Sequence, residues 1–260
     1  MTRLDIELVS RQICETRSKA QMEIKASNIL VNNKIITKPS FYVKETDKIT
    51  LNHEVLKYVS RGGLKLEKAI FEFKIDLTNK TMLDIGSSTG GFTDCALKNN
   101  IKEVICVDVG SNQLDERIRN NNRVHVFENT DIRKFDDPIL SKVDLITIDV
   151  SFISVTKIID KLSNINAKEI ICLIKPQFEC GKAIADKYKG IILDKEVHEN
   201  VVKNVVTSFK RINYNLKNIT YSPVKGGNGN IEYLAYFTKE EVNSVINFKD
   251  LVSNTFKMMK

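Results

Sequence analysis

Apolar residues fall into two rhythms along this chain. In the larger, C-terminal part, short unbroken apolar runs alternate with stretches at helical spacing. Val104-Ile105-Cys106-Val107 and Ile170-Ile171-Cys172-Leu173-Ile174 contain no polar residue, as strands covered on both faces require. Runs of this kind predict strands over 81–85, 103–108, 143–149, 169–174, 216–221 and 231–237, with another through Val124, Val126 and Phe127. Helical spacing is clearest over 194–210, with Val197, Val201, Val202, Val205 and Val206. Strands alternating with helices imply an α/β fold built on a doubly wound, Rossmann-like sheet.

Residues 1–59 follow a different pattern. Leu4, Leu8 and Val9 mark one face of a short helix, with Thr2 placed as its N-cap. A second helix starts near Thr16 or Ser18 and carries Ala20, Met22 and Ile24. Ile29-Leu30-Val31 and Lys34-Ile35-Ile36 flank Asn32-Asn33, a hairpin signal because asparagine tolerates positive φ. Pro39 ends that unit and Lys48-Ile49-Thr50-Leu51 supplies a last strand. The expected organisation is a small α+β domain at 1–59, a linker at 60–63 in which Gly62-Gly63 offers a hinge, and the α/β domain over 64–260.

Composition narrows the class. Hydrophobic residues at 42% and charged residues at 28% describe an ordinary globular protein. The formal charge is +7, and residues 1–60 hold ten basic against seven acidic side chains, so the excess is denser there. Arg3, Arg11, Arg17, Lys19 and Lys25 surround the two short helices, and Arg61 at the junction joins this basic set. A polyanionic partner and a merely solvated face explain such a set equally well. Five cysteines with no CxxC spacing, and His53, His125 and His198 far apart, argue against a disulfide scaffold or a metal centre. The charged N-terminus, with Arg3, Asp5 and Glu7, is unlike a signal peptide, and no apolar run is long enough to span a membrane. A cytoplasmic protein is expected.

The densest chemical signal is Asp84-Ile85-Gly86-Ser87-Ser88-Thr89-Gly90-Gly91-Phe92-Thr93, a strand end, a glycine-rich turn and a helix start. It has no basic residue and no following Gly-Lys-Ser/Thr, so it does not cradle phosphate. An uncharged turn beside a carboxylate suits a sulfonium-bearing nucleoside such as S-adenosylmethionine. Asp108, closing the second strand, stands where such folds hold a ribose; Asp131, after the third, could meet an adenine edge. Asp149 ends the fourth strand, Lys175 the fifth, and Glu232 lies in the last, after Gly226-Gly227-Asn228-Gly229-Asn230. Lys65 follows Arg61-Gly62-Gly63-Leu64. Plain Lys–Asp salt bridges are the bland alternative for these groups.

In order along the chain, several segments resemble the TlyA (hemolysin A-like) ribosomal RNA 2′-O-methyltransferases, whose catalytic domain is of FtsJ type. They are Tyr58-Val59-Ser60-Arg61-Gly62-Gly63-Leu64-Lys65-Leu66, the 84–93 turn, Val107-Asp108-Val109-Gly110-Ser111-Asn112-Gln113-Leu114, Asp149-Val150-Ser151-Phe152-Ile153-Ser154, Lys175-Pro176-Gln177-Phe178-Glu179, Ser222-Pro223-Val224-Lys225-Gly226 and Gly229-Asn230-Ile231-Glu232-Tyr233-Leu234. Residues 1–59 are similar to a small RNA-binding module known from a ribosomal protein, through Arg3-Leu4-Asp5, Leu8-Val9, Thr16-Arg17-Ser18-Lys19-Ala20, Ile24, Val31-Asn32 and Lys38-Pro39-Ser40. Ser27 and Asn33 depart from glycines of that module, and Asp131 and Asn121 from an asparagine and an aspartate of the methyltransferases.

The resemblance implies a Lys-Asp-Lys-Glu tetrad at Lys65, Asp149, Lys175 and Glu232, with Lys175 as the base that takes the ribose proton. It implies S-adenosylmethionine held by Asp84, Gly86, Ser87, Ser88, Thr89, Gly90, Gly91, Phe92, Asp108, Asp131 and Asp149. It also implies ribosomal RNA, in one or both subunits, as partner, with a cytidine ribose as target. Lys175 must be neutral to act; burial and a neighbouring cation favour that, and Asp149 and Glu232 oppose it. Two other classes compete: a membrane-active cytolysin, which would need an amphipathic or spanning segment, and an RNA-binding assembly factor, which would have no need of the tetrad. A nicotinamide enzyme is disfavoured because the turn is not G-x-G-x-x-G.

Overall fold

The computed structural model describes residues 1–14, 16–25, 28–51, 57–243 and 246–259; Ser27 and His53 lie outside them. The chain forms two compact units, Met1–Arg61 and Gly62–Lys260.

The first unit comprises β1 (Thr2–Arg3), α1 (Leu4–Ser10), α2 (Arg17–Lys25), β2 (Ile29–Val31), β3 (Lys34–Ile35), β4 (Tyr42–Val43) and β5 (Ile49–Leu51). Leu4 and Leu8, and Ala20 and Ile24, are four apart and therefore share a helix face. They meet Ile29, Val31 and Val43 in one buried cluster. β2 is central, pairing antiparallel with β3 and β5. Asn32 and Asn33 turn the hairpin at φ of 50° and 65°, so asparagine supplies the left-handed backbone for which glycine is the usual choice. Thr2 does not cap α1. It pairs with Val43 in a two-stranded ribbon, and Arg3 takes the cap position without a side-chain hydrogen bond.

The second unit opens with α3 (Gly62–Phe73), so the glycine pair expected as a hinge forms the helix's first turn instead, with Gly63 buried. There follow β6 (Thr81–Ile85), α4 (Gly91–Lys98), β7 (Glu103–Val107), β8 (Val124–Phe127), β9 (Leu145–Ile148), β10 (Glu169–Ile174), β11 (Asn215–Tyr221) and β12 (Tyr233–Thr238). They form one seven-stranded sheet in the order β11-β12-β10-β9-β6-β7-β8. β12 runs antiparallel to both neighbours, and the other pairings are parallel. β6 is buried along all five residues and β9 along all four, which explains their largely apolar character, broken only by the buried Thr81, Asp84 and Thr147. The chain steps from β6 outward to β7 and β8, then returns to lay β9 on the other side of β6. The crevice at the carboxyl ends of β6 and β9 is therefore a topological switch point, where open α/β sheets bind ligands.

Candidate active site

Three of the acids and bases expected at strand ends, Asp108, Asp149 and Lys175, lie one residue past their ladders, and Glu232 lies one before its own, whereas Asp84 lies inside β6. β7 stops at Val107, β9 at Ile148 and β10 at Ile174, while β12 begins at Tyr233. Freed from the pleat, Asp108, Asp149, Lys175 and Glu232 can turn into the crevice rather than into the sheet faces.

The floor is the 86–91 turn. Gly86 N–H donates to Val107 O at 2.9 Å and Asp149 N–H donates to Ile85 O at 3.0 Å, locking the three strand ends together. Gly86 has φ of 82°, and a Cβ there would stand 2.7 Å from the Asp149 carbonyl oxygen. No other residue fits so close an approach. The Asp108 carboxylate accepts from Ser88 N–H at 2.8 Å and from Gly110 N–H at 2.7 Å, and it is only partly buried. Gly86, Thr89, Asp108 and Asp149 are half-buried and Ser88 is exposed, whereas Ser87, Gly90, Gly91 and Phe92 are buried. Asp131 is gripped by its neighbour Arg133, whose Nη2 lies 2.6 Å from Oδ2.

Asp84 lies apart from this surface. It is fully buried, its oxygens accepting from Thr93 at 2.7 Å and Thr147 at 2.9 Å. Burial raises its pKa to about 6 against those two hydrogen bonds. It ties β6 to α4 and β9, with both oxygens already engaged. Because its folded pKa lies above the unfolded value near ~3.9, its contribution to stability declines as pH rises from about 4 to about 6. Asp84→Asn should flatten that decline in thermal melts and leave cofactor affinity near wild type. A large loss of affinity in an otherwise stable variant would return Asp84 to the binding surface.

The four tetrad residues do come together. Lys175 Nζ lies 2.5 Å from Asp149 Oδ1, and Lys65 Nζ lies 3.5 Å from Asp149 Oδ2 and 3.0 Å from Glu232 Oε2. The carboxylates thus alternate with the amines, Lys175–Asp149–Lys65–Glu232. Burial favours a neutral Lys65, but Asp149 and Glu232 outweigh it and hold its pKa above the ordinary lysine value. Burial likewise works against the Asp149 carboxylate, yet Lys175 and Lys65 prevail and hold it down at about 2. At neutral pH Asp149 is an anion and Lys65 a cation.

Several residues around the tetrad were quoted in the motifs without a role. Ser151 Oγ accepts from Lys175 at 2.8 Å, and Gln177 Nε2 donates to Glu232 Oε1 at 3.0 Å. Gly226 backs the same carboxylate so closely that a Cβ would fall 2.1 Å from Oε1. Glu179 accepts from Ser154 Oγ and Val155 N–H, tying the segment after β10 to the segment after β9. Phe152, three residues after Asp149, is 92% exposed in a left-handed backbone conformation with φ of 65°. Its ring lies 5.2 Å from that of Phe178, tilted by 49°. An exposed phenylalanine in strained backbone beside buried charges is the arrangement of a functional surface.

In the first unit, part of the basic set is used internally. Asp5 is fully buried and accepts from Arg3, Arg17 and Gln21, and the Arg3 hydrogen bonds foremost hold its pKa well below the carboxylate range. Arg11 donates to Glu7 and to the carbonyls of Lys44, Glu45 and Asp47, clamping that turn. Arg61 Nη2 donates to Lys25 O at 3.1 Å. Lys19 and Lys25 are exposed along α2, and Arg17 is 54% exposed despite its bond to Asp5.

Among the described residues no cluster of His, Cys, Asp or Glu could hold a metal ion, and no helix is long and apolar enough to cross a membrane. The donor set fits S-adenosylmethionine in chemistry: an uncharged turn, the Asp108 carboxylate for hydroxyls and the Asp149 carboxylate as an anion for a cationic group.

Sheet order, the antiparallel β12 next to the edge and the switch-point crevice define a methyltransferase of the α/β class. Residues 58–239 match the FtsJ-like methyltransferase family, and residues 2–49 match the S4 domain. Hemolysin A of Brachyspira hyodysenteriae is 46% identical over 242 residues, covering 90% of this chain and 99% of its own length. The 23S rRNA (cytidine-2′-O)-methyltransferase TlyA of Campylobacter jejuni is 37% identical, covering 89% of this chain and 97% of its own. A solved structure from Streptococcus thermophilus, described as a candidate hemolysin, superposes with a TM-score of 0.76 at 34% identity, over 98% of this chain and 96% of that one. The chain belongs to the FtsJ-like methyltransferases with an S4 domain, within the TlyA (hemolysin A-like) group.

Proposed function

We propose that this protein transfers a methyl group from S-adenosylmethionine to a ribose 2′-hydroxyl of ribosomal RNA, with a cytidine as the target nucleoside and Lys175 as the general base. The observation that carries this reading is the continuous Lys175–Asp149–Lys65–Glu232 chain of contacts at the switch-point crevice. A ribose hydroxyl is a weak nucleophile, so the site must align it and remove its proton. Lys175 takes that proton as a free amine, with Asp149 and Ser151 fixing its position. Lys65, held cationic, and Glu232, held by Gln177 and Gly226, set the opposite side of the site. S-adenosylmethionine supplies a methyl group on a sulfonium that departs as a neutral thioether. Phe152 offers a ring on which a base could stack. The S4 match and the Campylobacter relative's named substrate support RNA as the partner, and the exposed lysines of α2 suit its phosphates.

The test is methyl transfer from radiolabelled S-adenosylmethionine to purified, unmethylated 30S and 50S subunits, with the product mapped. Label on a cytidine 2′-oxygen is expected, and its position names the subunit. Absence of label on both, with cofactor bound, would defeat the reading.

A further inference from the structure

The stretch 181–193 has no part in the chemistry above. Helix Lys182–Lys187 within it buries none of its residues, and Ile192 alone in the stretch is buried. Lys182, Lys187 and Lys189 are exposed, and none of their ammonium groups makes a hydrogen bond or salt bridge among the described residues, Lys187 resting 5.1 Å from the Tyr188 ring centre. Ile184, Ile191 and Leu193 are exposed by 37%, 37% and 63%. Asp186 is the one acid in the stretch, leaving it a net cation. A surface of cations and aliphatic carbons, with Asp194 as the carboxylate that Lys187 acts on, suits a polyanion with an apolar component.

Its two ends show what that polyanion approaches. At the start, the stretch leaves the Lys175–Glu179 segment, where Gln177 holds Glu232 and Glu179 holds Ser154 and Val155. At the end it is fastened by one side chain, Asn230. Ile192 N–H donates to Asn230 Oδ1 at 3.0 Å, and Asn230 Nδ2 donates to Gly190 O at 2.8 Å. Asn230 stands two residues before Glu232. The buried His198 adds a second tie, with Nε2 2.9 Å from Ile192 O and Nδ1 2.8 Å from Tyr233 Oη. Both feet therefore rest on segments that carry tetrad residues, so the cationic span connects the Lys175 segment to the Glu232 segment.

We propose that residues 181–193 form a strap that grips single-stranded RNA phosphates flanking the reacting nucleotide, through Lys182, Lys187 and Lys189, with Ile184 and Leu193 against sugar edges. This rests on the ribose-methylation reading for the identity of the polyanion. Neutralising phosphates releases counterions, so the strap leaves a signature in salt dependence, at about −0.7 in log K per log salt for each single-strand contact.

The experiment compares wild-type protein with the triple variant Lys182→Gln/Lys187→Gln/Lys189→Gln, all at exposed positions. Binding of a single-stranded RNA oligonucleotide is measured at several salt concentrations, alongside methylation of unmethylated subunits and cofactor affinity. The expected result is a salt slope shallower by about 2, a KM for RNA raised about tenfold or more, and kcat and cofactor affinity near wild type. Restoring charge with arginine at the three positions should recover most of the slope. An unchanged slope and KM would overturn the strap while leaving the methylation reading intact. A fall in kcat at unchanged KM would also overturn it, because the lysines would then act on chemistry rather than grip. Failure of the wild type to methylate RNA strikes the underlying reading, and the oligonucleotide slope still decides for or against the strap.

Discussion

Lys175→Ala is expected to lower kcat for methyl transfer by about 10²–10⁴-fold, the range that a positioned general base supplies, with cofactor affinity close to wild type. The amine leaves the carboxyl end of β10 as the cap residue of helix Pro176–Glu179, and Pro176 restricts the backbone just after it. Its contacts to Asp149 and Ser151 aim one nitrogen into the crevice. Truncation removes the proton acceptor and leaves Asp149 its second partner, Lys65, so the site keeps its shape. An interaction made only as the proton moves should lower kcat and kcat/KM together. Lys175→Arg should not rescue, since a guanidinium does not give up its proton. Single-turnover methylation with saturating cofactor checks all of this, and an unchanged kcat would remove Lys175 from its role.

The sheet was legible because β6, β9 and β10 are buried on both faces, so each is an apolar word with polar punctuation. Asp149 and Lys175 were legible as neighbours because strand ends in an open α/β sheet converge, whereas Lys65 and Glu232 joined them through the resemblance to the TlyA family. What the sequence withheld was partnership over long separations. Asp84 reads as a crevice acid, but one of its partners, Thr147, lies 63 residues away and turns it into a core tie. Arg11 reads as part of a basic face, yet carbonyls 33 to 36 residues away occupy its guanidinium. Thr2 reads as a cap because Val43, its strand partner, is just as distant. Phe152 was visible only as a letter in a motif. Its left-handed backbone and full exposure could not be inferred from a residue type that normally avoids both.

Asp149→Asn should lower folding stability at neutral pH by about 3 kcal/mol, the scale for stripping one partner from a buried ion pair. Among the described residues Asp149 is the only carboxylate shared by Lys175 and Lys65, at 2.5 Å and 3.5 Å. Lys65 keeps Glu232, but Lys175 would be left with the Ser151 hydroxyl and the Phe178 ring 5.8 Å away, and with no carboxylate in contact among the described residues. An asparagine amide also turns a donor toward one of two ammonium groups, which are themselves donors. The sign of the pH effect follows from the carboxylate's depressed pKa, held at about 2. The ion-pair contribution is full above the unfolded value near ~3.9 and is lost as pH falls from about 4 towards about 2. The stability gap between wild type and variant should therefore be constant between pH 5 and 8, and narrow below about 4. Urea denaturation of both proteins at pH 7 and pH 3 measures it. Equal stability at pH 7 would mean that Lys175 is already balanced without Asp149. The tetrad's carboxylate would then matter for catalysis alone, and the rate loss expected in the same variant would have to arise without any loosening of the Lys175 amine.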